Sequence, residues 1–166
     1  MRGSGCRSKL RVMYAAEPFT LSRASELRDI HRALETLGAQ SWADRADEQA
    51  LDRLWEAFGR VQRYVETDAG TDLVRRAKDA FFRALFEGAG RSVVPESLRS
   101  VEHRMRVVRT ASLATPGRPE EMLEELAAIL AAATARDTQA LTQACAEHLD
   151  REFASGVRVL TGVKER

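Results

Sequence analysis

Residues 119–153 read PEEMLEELAAILAAATARDTQALTQACAEHLDREF, and this stretch decides the fold class. Pro119 stands where a helical pattern opens, a position at which its missing N–H costs nothing. Leu123, Leu126, Ile129, Leu130 and Ala133 then recur at helical spacing as one buried side. The pattern pauses at Arg136-Asp137 and resumes from about Thr138 to Leu160, with Leu141, Cys145, Leu149 and Phe153 on the stripe. So short a link joins antiparallel neighbours, and the last helix is expected to pack back along the one before it. The alanines from Ala127 to Ala135 read as small side chains that let helices approach closely.

Working outward, the same period recurs upstream. A helix capped near Thr20 or Ser22 carries Leu27, Ile30, Leu34 and Leu37, with Gly38 as its expected stop. A second carries Leu51, Leu54, Trp55, Phe58, Val61 and Val65 through about Glu66. The third, from about Thr71 to Glu87, has two adjoining stripes, Val74, Ala77, Phe81 and Leu85 beside Lys78, Phe82 and Phe86, so its apolar arc is wide. A fourth opens at Pro95 and spaces Leu98, Val101, Met105, Val108 and Ser112 as a seam offered to a partner helix or a second subunit. The prolines and glycines fall between these segments. The expected fold is all-α, an antiparallel bundle of about six helices over residues 20–162, after a polar leader, linker or expression remnant at 1–19.

Composition narrows the function. The 26 Lys plus Arg nearly balance 25 Asp plus Glu, a formal charge of +1, so no global basic field exists to hold nucleic acid or an anionic membrane. The longest apolar run, Leu126 to Ala133, is far short of the roughly 20 residues that span a bilayer. Met1 to Leu10 lack the apolar core of a secretory signal. Cys6 and Cys145 form neither a disulfide framework nor a zinc spacing, and a reducing cytoplasm fits best.

Chemistry-bearing motifs are sparse. No nucleotide-binding glycine pattern, paired CxxC or HExxH helix occurs, and no spacing sets a Ser or Cys nucleophile beside His31, His103 or His148, so no catalytic role is expected. His148 borders the apolar stripe of the last helix, where a satisfied core-edge histidine is the plainer reading and a ligand-binding one the sharper. Lys78 and Phe82 share a helix face, read either as a lysine lying along a ring with its ammonium in water or as a cation beside an aromatic in a pocket. Arg28 and Arg32 form another such pair on the first helix.

Five stretches carry a resemblance: Glu26-Leu27-Arg28-Asp29-Ile30-His31-Arg32-Ala33-Leu34-Glu35, Phe81-Phe82-Arg83-Ala84-Leu85-Phe86-Glu87-Gly88-Ala89-Gly90, Glu124-Glu125-Leu126-Ala127-Ala128-Ile129-Leu130, Ala135-Arg136-Asp137 and Ala146-Glu147-His148-Leu149. In their order they resemble the FadR-type C-terminal effector domain of GntR-family bacterial transcription regulators, over about residues 20 to 155. The resemblance implies a helical domain that holds a small-molecule effector, often a carboxylate, in a central cavity and helps form a homodimer. Operator DNA would be bound only through a winged helix-turn-helix not present in this chain, which is then either a piece of a longer regulator or a naturally shortened relative.

Many members of that family hold a divalent metal with an Asp and a His four residues apart, then a His on each of the last two helices. Here the resemblance puts Lys78 at the Asp position, Phe82 at the first His and Leu126 at the second, and keeps only His148. No metal or other cofactor is therefore expected. The resemblance instead implies a ligand set of Arg32, Lys78, Phe82, Leu126 and His148, with Lys78 supplying the positive charge for a carboxylate or acyl effector. The rival reading is that Phe82 and Leu126 fill the site, leaving a free-standing interaction and dimerisation module that acts through Leu98, Val101, Met105 and Val108.

Overall fold

The computed structural model describes residues 20–91 and 93–162. Their regular structure is entirely helical: α1 (Leu21–Gln40), α2 (Trp42–Arg45), α3 (Glu48–Glu66), α4 (Thr71–Gly88), α5 (Val93–Arg104), α6 (Arg106–Leu113), α7 (Arg118–Thr134) and α8 (Thr138–Thr161). The all-α bundle expected from the sequence is present, with eight helical segments among the described residues rather than about six. The added ones are the single turn α2 and a break at Met105 that divides the expected fourth helix. The leader reading of residues 1–19, with Cys6, lies outside the described residues.

Capping explains where the chain turns. Thr20 Oγ1 accepts from the Arg23 amide at 3.3 Å, Asp47 from Ala50 at 2.7 Å and Asp137 from Ala140 at 2.9 Å, each satisfying an amide that has no partner within its helix. The tight Arg136-Asp137 link folds α8 back onto α7, as its length demanded. α8 also packs against α1 and α6, while α3 packs against α4 and α7, and these two groups share the core. Trp42 is buried and its Nε1–H donates to the Ala133 carbonyl at 2.8 Å, tying α2 to the end of α7.

Two local expectations are corrected, and an alternative left open by the sequence is decided in favour of a partner helix. Gly38 does not stop α1; it lies buried inside it, where a Cβ would fall 2.2 Å from Phe86 Cδ1. The close approach of α1 to Phe86 requires glycine there. That seating also turns α1, so Ile30 and Leu37 are exposed and the buried positions are Ala24, His31, Glu35, Gly38 and Ala39. The expected seam of Leu98, Val101, Met105, Val108 and Ser112 is buried within this chain, with α5 against α1 and α6 against α8, so it is not available to a second subunit.

α6 and α8 approach each other closely. A Cβ at Gly156 would lie 2.1 Å from the Val108 backbone carbonyl oxygen, so the two helices meet almost backbone to backbone. Met105, with φ −82° and ψ 0°, breaks the helix just before α6 and sets α6 on its own course toward α8.

Candidate functional site

The wide apolar arc of α4 faces inward, and it carries one cation with it. Lys78 is fully buried, and its Nζ donates to Glu152 Oε1 on α8. Glu152 lies one turn past His148, so both project from one face of α8, from which they reach Lys78 and Phe82 of α4. Arg109, from α6, brings its Nε to 3.4 Å from Glu152 Oε2 and its Nη2 to 2.5 Å from Asp79 Oδ1. Burial pushes the Lys78 ammonium well below its ordinary value, and the neighbouring Arg109 guanidinium adds to the push.

His148 is the second polar group of the interior. Its ring lies 5.3 Å from the Phe82 ring, centroid to centroid, and its Nδ1 is 2.7 Å from Glu125 Oε2. Arg118 Nη2 donates to that same oxygen at 2.8 Å. Burial raises the Glu125 carboxyl, but the hydrogen bonds from His148 and Arg118 outweigh it and hold the group below its usual range. Desolvation pulls His148 down to about 4 against the opposing Glu125 hydrogen bond, so at neutral pH the ring is uncharged. With Nδ1–H donating to Glu125, Nε2 is left as an acceptor, and among the described residues it has no hydrogen-bond partner.

Of the five residues expected to line a ligand site, the structure brings four into one region: Lys78, Phe82, Leu126 and His148, all buried. Arg32 is not with them. It ion-pairs with Asp150 at the partly exposed rim of α1 and α8, while its neighbour Arg28 lies 4.9 Å over the Phe153 ring. The rotation of α1 that seats Gly38 puts His31 and Glu35 inward instead, joined by an Nε2 to Oε1 contact of 3.0 Å.

Sequence reasoning missed the partners, Glu152, Arg109, Glu125 and Arg118. One signal was present: Glu152 continues the stripe of Leu141, Cys145, His148 and Leu149, and a carboxylate on a buried stripe requires a cation opposite it. The donor set does not fit a transition metal. An ammonium, a phenyl ring and an aliphatic side chain surround one imidazole, and no group of three His, Cys, Asp or Glu able to hold a metal occurs among the described residues. No described helix is long and apolar enough to cross a membrane.

Comparison with known proteins bears on the family and the fold. The sequence model of the FCD domain matches residues 26–151. Among solved structures, E. coli McbR/YncC superposes with a TM-score of 0.73 at 19% sequence identity, over 84% of this chain and 66% of that one. No curated protein matches the sequence.

Proposed function

The chain belongs to the FCD domain family, and on that premise we propose that it is the effector-sensing and dimerising part of a GntR-type transcription regulator, working without a metal and without catalysis. The observation that carries the effector reading is the buried juxtaposition of Lys78, a cation, with His148, whose Nε2 acceptor lacks a partner. Glu152 holds Lys78 with a carboxylate supplied by the protein itself. An effector carboxylate takes that place on Lys78, a hydroxyl or amide donor on the same molecule meets His148 Nε2, and Phe82 and Leu126 cover its apolar part. Its binding energy shifts the domain between two arrangements only by the difference in its affinity for them. The domain pairs with a second copy, and operator DNA is held by a separate winged helix-turn-helix.

Native mass spectrometry of the purified chain tests this, followed by thermal-shift titration with short hydroxycarboxylates and fatty acids. The expected result is a dimer stabilised by a carboxylate, with the response lost in Lys78→Met and strengthened in Glu152→Gln. A dimer that responds to none of these compounds favours the second reading, an interaction module whose interior is permanently closed by the Lys78–Glu152 pair. Stoichiometric metal in the spectrum overturns the metal-free assignment.

A further inference from the structure

On the outer side of α4 a cleft of about 210 Å³ opens between that helix and the α5–α6 pair. Arg75, Asp79 and Arg83 line it from α4 at successive turns of one face, and Arg99, Glu102 and His103 line it from α5. Arg106 and Arg109 of α6 close the third side. Five guanidinium groups face two carboxylates, which leaves about three net positive charges in one concavity of a chain whose total is +1.

Both carboxylates are already engaged. Asp79 accepts from Arg75 at 2.9 Å and from Arg109 at 2.5 Å, and Glu102 stands 3.7 Å from Arg109. Arg83, Arg99 and Arg106 have no hydrogen bond or ion pair among the described residues. Three unpaired, planar, permanently charged donors converging on one cleft are an arrangement for oxyanions, which guanidinium groups grip in bidentate fashion. Size restricts the ligand further. The cleft lies below the roughly 300 Å³ at which sites for drug-sized molecules begin. A neighbouring crevice that shares Asp79, Arg83 and Arg99 and reaches Phe82 has only about 10 Å³ free, too narrow for an acyl chain.

We propose that this cleft is a second ligand site, distinct from the Lys78–His148 interior, and that it takes a compact oxyanion bearing two or three negative charges, a phosphate compound or a small polycarboxylate. The anion bridges Arg83 of α4 to Arg99 and Arg106 across the gap, so it also clamps α4 to the α5–α6 pair.

The test is isothermal titration calorimetry of the full chain with pyrophosphate, citrate, inorganic phosphate and, as a monovalent control, acetate. Pyrophosphate or citrate is expected to bind with one-to-one stoichiometry and acetate not at all; which of the two binds more tightly separates the phosphate source from the carboxylate source. Affinity falls at least about tenfold in the Arg83→Ser/Arg99→Ser double variant. It is unchanged in Arg53→Ser/Arg60→Ser, two exposed arginines of α3, so a loss confined to the cleft variant is not a general effect of removing surface charge. Arg83 and Arg99 are exposed, and an unchanged melting curve shows that their replacement leaves the fold intact. Absence of heat with both multivalent anions, or equal loss in the α3 control, overturns the proposal.

Discussion

Gly156 and Val108 sit so close that α8 carries no side chain where the α6 backbone passes: a Cβ at residue 156 would lie 2.1 Å from the Val108 carbonyl oxygen. Backbone cannot swing aside as a side chain can. Gly156→Ala is therefore expected to destabilise by about 2 to 4 kcal/mol, read as a lower urea midpoint with unchanged slope. Gly59, inside α3 with nothing within 4 Å of its Cβ direction, is the control. Gly59→Ala is expected to stabilise by about 0.5 to 1 kcal/mol, because only helix propensity changes.

The Lys78–Glu152 pair predicts an asymmetry between single and double replacement. Glu152→Leu leaves the buried Lys78 amine without its carboxylate and costs about 3 to 5 kcal/mol, whereas Lys78→Met leaves Glu152 facing Arg109 at 3.4 Å and costs less. Changing both together removes both charges and is expected to bring stability back to within about 2 kcal/mol of the parent. Chemical denaturation of the four proteins completes the cycle; additive losses would show that the two side chains do not depend on each other.

His148 predicts the acid limb of stability. Its folded value of about 4 lies below the ordinary 6.5, so the unfolded chain binds the extra proton first. Stability from this group is complete above about pH 6.5, declines as pH falls below it, and by about pH 4 has lost on the order of 3 kcal/mol. His148→Phe should flatten that segment of the curve, and a parent whose stability stays level from pH 7 to pH 4.5 would contradict the buried, neutral ring.

The two tryptophans give a direct check of the fold. Trp42 is 1% exposed and bonded to Ala133, whereas Trp55 is 51% exposed on α3. Iodide should quench about half of the tryptophan population, and Trp55→Phe should remove the quenchable part. Trp42→Phe deletes the donor to a buried carbonyl and is expected to cost about 1 to 3 kcal/mol in denaturant.

How much of this was legible in the sequence depends on what periodicity encodes. The α7–α8 hairpin was, because Pro119, the Arg136-Asp137 link and the stripe from Leu141 to Phe153 each carry a local cause. Gly38 was misread because a glycine that ends a helix and one that admits a neighbouring ring look alike until Phe86 is in place. The seam through Met105 was recognised as buried, but its partner was not, since periodicity says that a face is covered and not by what. Arg32 went astray for a related reason: a modest rotation of α1 exchanges Arg32 for His31 and Glu35 on the inner face. Lys78, Phe82, Leu126 and His148 were found together because family resemblance fixed the rotation of three helices at once. Arg109, which arrives from α6 to meet Asp79 on α4, left no local trace, whereas Arg118 and Glu125 lie two turns apart on α7 and share a helix face, a local signal that went unread.

Arg109 belongs to two environments. Its Nη atoms face Asp79 and Glu102 on the wall of the outer cleft, while its Nε faces Glu152, the partner of Lys78. A rigid planar group cannot turn toward one without changing its distance to the other. On the proposed two-site reading, occupancy outside and exchange of carboxylates inside both act on this one side chain, and thermodynamic reciprocity then makes each ligand alter the other's affinity by the same factor. With both proposed sites in place, the domain's answer to one ligand depends on whether the other is bound.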